Sequence, residues 1–193
     1  MQIKEEVRIV GFDDAPFEKN KKGMVPVVGV VYRGGKIFDG MLFTKVKVDG
    51  NDATEKIAEI VNSSRHKKQL KVIMLDGITV GGFNLIDLKE LNKKTGLAII
   101  AINRKLPDIK RVKAALKNFE NFKERWKIVK NAGKIRKVKI KNKFIYYQAK
   151  GIKNEDAEEI IRISCTRGLI PEPLRVAHLI ASALIKGESH GKA

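Results

Sequence analysis

Two apolar runs of strand length, residues 7–12 and 71–75, each stop abruptly at carboxylate: Asp13-Asp14 after the first and Asp76-Gly77 after the second. Apolar runs of about four to eight residues bounded by turn signals read as buried strands. Between them, residues 25–32 form a Val-dense strand. Arg33-Gly34-Gly35-Lys36 is a tight hairpin turn, whose paired glycines supply positive φ, and 37–48 is a third strand. Asp49-Gly50-Asn51-Asp52 breaks it. Asp52 or Thr54 then caps a helix to about residue 62, with Ile57, Ile60 and Val61 on its buried face.

After Asp76 the pattern reads as a glycine-containing loop over 77–82 and a helix over 84–94, with Leu85, Leu88 and Leu91 at spacing three. A fifth strand spans 97–102. Pro107 opens a helix at a permitted early position, and a longer helical segment follows with Phe119, Phe122 and Trp126 on a core-facing stripe. Residues 134–140 and 144–149 alternate Lys with apolar side chains, as a half-exposed hairpin does. Asn154 caps a helix to about Cys165, and Pro171-Glu172-Pro173 leads into an apolar helix over 174–185. Residues 15–24 read as a polar, basic loop and 187–193 as a loose tail. An early hairpin meander followed by βαβ-like units implies an α/β fold with a mixed sheet flanked by helices. With no internal repeat or low-complexity linker, residues 1–193 read as a single domain.

Composition adds a partner class. The 193 residues are 43% hydrophobic and carry 40 Lys and Arg against 22 Asp and Glu, a formal charge of +18. An excess of that size points to a polyanion, nucleic acid first, because cations on phosphates release condensed counterions. Part of the charge also fits the ion-pair chemistry of proteins that work at high temperature. The single cysteine, Cys165, forms no intramolecular disulfide and belongs to no CxxC pattern, which suits a reducing cytoplasm. The first six residues lack an apolar signal core, and no apolar stretch is long enough for a membrane span.

The strand-end aspartates define the candidate site. A buried strand that delivers Asp at its carboxyl end puts charge at the lip of the sheet, where open α/β sheets bind ligands. If the two strands are neighbours, their backbones lie about 4.8 Å apart, and Asp13 and Asp76 can share one divalent cation. The plain alternative is that each Asp is a turn former or a helix cap.

Several segments resemble endonuclease V, a nuclease that recognises deaminated bases. These are Gly11-Phe12-Asp13, Leu75-Asp76-Gly77, Ile100-Ala101-Ile102-Asn103-Arg104-Lys105, and Leu169-Ile170-Pro171-Glu172-Pro173-Leu174-Arg175-Val176-Ala177-His178. A fuller resemblance is to a small archaeal family described as endonuclease dU. It is carried by Gly11-Phe12-Asp13-Asp14, by Asp49 to Thr54, by Gly82-Phe83-Asn84 and by Gly187-Glu188-Ser189. The element order is similar to that of the ribonuclease H-like nucleases, and the resemblance implies that the first and fourth strands are adjacent. It also implies a Mg²⁺-dependent endonuclease acting on uracil-containing DNA in repair. Two departures stand out. No Pro-Tyr-Ile-Pro wedge of the kind endonuclease V inserts into DNA is present, and the mid-chain Glu of that family falls here on Asp52, with Glu55 as the alternative.

Phosphodiester hydrolysis needs an activated water and relief of charge on phosphate and leaving oxygen, and carboxylate-bound Mg²⁺ supplies both. Asp13, Asp52 and Asp76 are the candidate ligands, with Mn²⁺ as the alternative ion and Asp14 beside them. By carry-over from endonuclease V, His178 is an outer ligand or acid, against plain helix-face packing. Arg104 or Lys105 neutralises the scissile phosphate. Gly81, Gly82 and Asn84 leave room for a flipped base or for backbone, against an ordinary strand-to-helix turn. Glu172 and Arg175 hold the fold or the surroundings of the site. The expected partner is DNA, with RNA as a further candidate, and a non-catalytic nucleic-acid binder of the same fold is the competing reading. The oligomeric state is not legible.

Overall fold

The computed structural model describes residues 6–18 and 22–189. The expected absence of an N-terminal signal, part of the 15–24 loop and the last four residues of the tail lie wholly or partly outside them. Gly187 ends the final helix, and the Ser189 hydroxyl donates to the Leu179 carbonyl at 3.0 Å.

Strands β1 (Arg8–Asp14), β2 (Met24–Arg33) and β3 (Ile37–Lys47) form the expected meander. After it come α1 (Ala53–Ser63), β4 (Leu70–Asp76), a small ribbon of β5 (Thr79–Val80) and β6 (Asn84–Leu85), α2 (Leu88–Thr95) and β7 (Ala98–Asn103). The chain ends with α3 (Ile109–Leu116), α4 (Phe122–Asn131), the hairpin β8 (Arg136–Ile140) and β9 (Lys143–Lys150), α5 (Asn154–Ser164) and α6 (Glu172–Lys186). The main sheet has seven strands in the order β3-β2-β1-β4-β7-β9-β8. β1, β4 and β7 are parallel, and every other pairing is antiparallel. The first and fourth strands are thus neighbours, and the mixed sheet is that of a ribonuclease H-like fold.

Strand alternation sends successive residues to opposite faces. Val10, Phe12, Ile73, Leu75, Ile99 and Ala101 pack with α1 and α2 on one face. Ile9, Val72, Met74, Ile100 and Ile102 pack with α5 and the start of α6 on the other. Both faces are covered, which explains the near-continuous apolar runs of the parallel strands. Leu85, Leu116 and Val129 anchor a smaller cluster, and the Phe119, Phe122 and Trp126 stripe packs on it as the spacing implied.

Several boundaries differ from expectation. The helix expected from residue 84 starts at Leu88, because the Asp87 side chain accepts from the Lys89 and Glu90 amides and caps it there. Asn84 and Leu85 instead form β6, and the 77–82 loop is half of that ribbon. Pro107 lies one residue before the Asp108 cap of α3 rather than inside it, and the helical segment that follows starts at Phe122, leaving Phe119 in the turn between the two helices. Asn154 is the first helical residue of α5, not its cap.

Candidate active site at the carboxyl edge of the sheet

The register places the two key aspartates side by side. Gly11 aligns with Met74 and Phe12 with Leu75, so Asp13 and Asp76 follow as the next pair on neighbouring parallel strands. Asp13 has the parity of Ile9, and Asp76 that of Val72 and Met74. Both therefore sit on the α5/α6 side of the sheet.

α6 delivers the third group. It lies on β1 so closely that Gly11 has no room for a side chain: a methyl there would stand 2.6 Å from the Pro173 carbonyl carbon. Further along the same helix, His178 Nδ1 meets Asp13 Oδ2 at 2.8 Å. Asp13 Oδ1 accepts from the Asp14 amide at 2.9 Å. The bond to Asp13 is the main reason the His178 pKa is raised; partial burial opposes it, and the charges of Asp13 and Asp76 assist.

Water reaches the Asp76 carboxylate at the sheet edge. The protein around it nevertheless raises its pKa to about 6, through desolvation first and the charge of Asp13 second, with Arg104 and His178 pulling the other way. A carboxyl group so placed gains from a nearby cation. Mg²⁺ takes one or two carboxylates and keeps several waters. The hard oxygens of Asp13 and Asp76 fit that ion, although among the described residues no three His, Cys, Asp or Glu side chains converge into a ready-made metal cage.

Asp14 serves the opposite face, as an uninterrupted strand requires. Its Oδ2 accepts from the Gly81 amide at 2.8 Å, and burial raises its pKa to about 6 despite that bond.

Asp52 does not join the pair. It occupies the cap position of α1 without capping, and its Oδ1 accepts from Asn84 Nδ2 at 2.6 Å and from the Lys47 amide at 3.2 Å. The alternative, Glu55, pairs with Lys94 at 2.7 Å. Asn84, fully buried, also donates to the Lys47 carbonyl at 2.9 Å and accepts from the Ala53 amide at 3.0 Å. The Thr54 hydroxyl accepts from the Asp87 amide at 2.9 Å. The Asp49–Thr54 and Gly82–Asn84 blocks are therefore one hydrogen-bonded unit that fixes the end of β3, the start of α1 and the β5–β6 ribbon. Gly81 and Gly82, at φ 55° and 89°, turn that ribbon against Asp49. Gly81, Gly82 and Asn84 thus build the loop rather than an open space for a base.

The open space lies beside them. A cleft of about 230 Å³ is lined by Asp76, Gly77, Ile78, Phe83, Asn103 and Gln148, with Pro107, Ile109 and Val112 of the α3 region across from them. Buried Arg125 holds its wall: it donates to the carbonyls of Phe83 and Asp49, and to Asn121 Oδ1 at 2.6 Å, while lying 4.3 Å from the Phe119 ring. Sequence reasoning missed this cleft and Arg125. The available signal was Gln148, an amide in the middle of an otherwise apolar strand and only 6% exposed. Arg104 and Lys105 follow β7 as exposed side chains, and of the two it is Arg104 whose charge reaches Asp76. Glu172 and Arg175 pair at 2.7 Å at the start of α6, consistent with a role in holding the helix. No helix among the described residues is long and apolar enough to cross a membrane.

Comparison with known proteins adds the lineage. A UPF0215 protein of Methanothermobacter thermautotrophicus is 54% identical over 193 residues, covering 100% of this chain and 94% of its own. The crystal structure of a protein from Archaeoglobus fulgidus superposes with a TM-score of 0.85 at 39% identity, covering 94% of this chain and 99% of that one. Ciona intestinalis endonuclease V, solved with DNA containing an inosine, has the same fold at a TM-score of 0.62 and 18% identity, over 93% of this chain and 86% of its own. The profile of one family, endonuclease dU, matches residues 5–185, and the chain belongs to that family.

Proposed function

We propose that this protein is a metal-dependent endonuclease that hydrolyses DNA at a deaminated base such as deoxyuridine, as a step of DNA repair. The observation that carries the reading is the pair of carboxylates, Asp13 and Asp76, delivered by neighbouring parallel strands to one face, with His178 on Asp13. Family membership and the nuclease fold support hydrolytic chemistry on nucleic acid. Asp13 and Asp76 hold Mg²⁺ or Mn²⁺, which when bound supplies an activated water and charge relief on the phosphate. His178 orients Asp13 through Nδ1, which fixes the ring and leaves Nε2 to carry or yield a proton. Arg104 offers positive charge to the phosphate beside Asp76.

The cleft next to Asp76 is the place for the target base. Its volume, about 230 Å³, is below the range of roughly 300–1,000 Å³ usual for drug-sized ligands, which suits a single ring system. Apolar walls from Ile78, Phe83 and Val112 stack or enclose a base, the Asn103 amide reads its edge, and Gln148, whose Nε2 is held by the Gly133 carbonyl at 2.7 Å, offers its Oε1. Turning a base out of a duplex costs a few kcal/mol, least at a mismatch, and a deaminated base is such a site.

The test is cleavage of end-labelled oligonucleotides carrying uracil, hypoxanthine or no lesion, single- and double-stranded, with Mg²⁺, Mn²⁺ or chelator. Wild-type protein should cut only with metal, and Asp13→Asn and Asp76→Asn should lose cutting while still binding DNA. Full metal-dependent cleavage by Asp76→Asn would refute the assignment. Tight binding without cutting under every condition would leave a non-catalytic binder.

A further inference from the structure

The β8–β9 hairpin is longer than the strand it pairs with. β9 pairs with β7 only from Tyr146 (opposite Asn103) to Lys150 (opposite Ile99), but it pairs with β8 from Lys143 onward. Lys143, Phe144 and Ile145, with Val138 to Ile140 opposite, therefore overhang the end of β7 by three residues, about 10 Å at the rise of a strand. β7 runs parallel to β4, so this overhang stands at the same edge of the sheet as Asp76.

Its two faces differ. Val138, Ile140, Ile145 and Tyr147 are buried in the core that includes α5. Alternation turns Lys137, Lys139, Phe144 and Tyr146 to the other side, where the first three are exposed and Tyr146 is half-buried. Lys137 Nζ stands 5.0 Å from the Phe144 ring centre. The row continues inward: Tyr146 is opposite Asn103, and Gln148 follows on the same face, so the strip leads into the cleft beside Asp76.

We infer that this open face of the β8–β9 hairpin is a stacking platform for an unpaired strand of nucleic acid adjoining the target nucleotide. Phe144 and Tyr146 stack on bases, and Lys137 and Lys139 meet the phosphates. A ring that is 48% exposed and flanked by lysines has no core to serve, and positively charged grooves with aromatic platforms are how proteins hold single strands. Spacing selects the unpaired form. Residues two apart on a strand are about 6.7 Å apart, roughly twice the 3.4 Å between neighbours on a duplex strand. Successive bases reach both rings only when the strand is extended.

Its position next to the target rests on the function proposed above; its binding does not, and the experiment separates the two. Anisotropy of a labelled short oligothymidine and of a labelled duplex of the same length would be followed with the full-length protein in chelator, so that nothing is cut. Phe144→Leu keeps the size and removes the ring; it should weaken single-strand binding about fivefold or more while moving duplex binding less than about twofold. Tyr146→Phe keeps the ring and should bind as wild type. Lys139→Gln should reduce the slope of log K against log salt for the single strand by about 0.7. Thermal melts should stay with wild type, because Phe144 and Lys139 are exposed. Unchanged single-strand binding by Phe144→Leu, or equal loss on both substrates, would overturn the platform. Cleavage with no effect of Phe144→Leu sinks the platform alone; selective loss of single-strand binding in a protein that never cuts sinks the nuclease reading alone.

Discussion

Replacing Gly11 with Ala sets two effects of opposite sign against each other. By backbone propensity the change stabilises, since Gly inside a strand is worse than Ala by about 0.5–1 kcal/mol. By packing it destabilises. The new methyl would meet the Pro173 carbonyl carbon at 2.6 Å, the Leu174 nitrogen at 2.8 Å and Pro173 Cβ at 2.8 Å. Carbon atoms rest at about 3.5–4.0 Å, so α6 has to retreat by roughly 1 Å. Overpacking a tight site costs about 1–3 kcal/mol, and two of the three contacts are backbone atoms that no rotamer change can move. The packing cost wins, leaving a net loss of about 1–2 kcal/mol. In a chain of this length that is a fall of roughly 2–8 °C in Tm. Activity should suffer more than stability, because the same retreat pulls His178 from Asp13, and a misplacement of about 1 Å can cost on the order of a hundredfold in rate. Thermal denaturation and the oligonucleotide cleavage assay measure the two losses. Gly23→Ala, with open space around the position, is the control that should change neither. Pro173→Ala should fail to rescue, because it leaves the backbone contacts in place. A Gly11→Ala protein with wild-type Tm and wild-type cleavage would refute the close-approach argument.

Asn84→Leu keeps the volume but leaves the buried Ala53 amide without its partner, while the Lys47 carbonyl keeps the Gly50 amide and Asp52 Oδ1 keeps the Lys47 amide; at about 1–3 kcal/mol for the one orphaned group, the expected loss is on the order of 2 kcal/mol by chemical denaturation. In chelator, the His178–Asp13 pair should stabilise the fold most at low pH. The His178 pKa is raised in the folded state, so its contribution is fully present below the unfolded value of about 6.5 and fades as pH rises through the folded one. The stability gap between wild type and His178→Asn should therefore be wider at pH 6 than at pH 9, and a gap that grows with pH would contradict the pairing. The Cys165 thiol is pushed up to about 12 by burial; it should stay unreactive to iodoacetamide at pH 8 until denaturant is added, and rapid labelling of the native protein, read by mass spectrometry, would argue against its burial.

Much of this architecture is written in local patterns. The two apolar runs that end in Asp announce strands buried on both faces, and the carboxylates at their ends proved to be neighbours because β1 and β4 pair in parallel. The Lys-alternating segments announce a hairpin for the same reason of period. What was illegible depends on partners distant in sequence. Asn84 looks like a helix start, yet its amide is used by Lys47 and Asp52 across the fold. Asp52 has the local look of a cap or a ligand, and only the position of Asn84 decides between a structural and a chemical use of its carboxylate. The cleft draws its walls from the β5–β6 ribbon, β7, α3, α4 and β9, and no single stretch of sequence contains enough of it to show a periodic signal. Arg125 reads as one more cation among many until its carbonyl partners are seen.

The consecutive aspartates at the end of β1 carry a constraint on how this chain can change. Asp13 belongs to one face and Asp14 to the other, where it bonds the Gly81 amide. Deleting or inserting one residue earlier in β1 exchanges the two faces. The large ring of Phe12 would then turn toward α6, where Gly11 now leaves no space for even a methyl, and the carboxylate that steadies the ribbon would trade places with the one beside Asp76. A change of two residues preserves the parity. The strand should therefore accept length variation in steps of two at its amino end, and lineages or engineered libraries that vary β1 should keep the Gly-Phe-Asp-Asp phase even where the flanking residues drift.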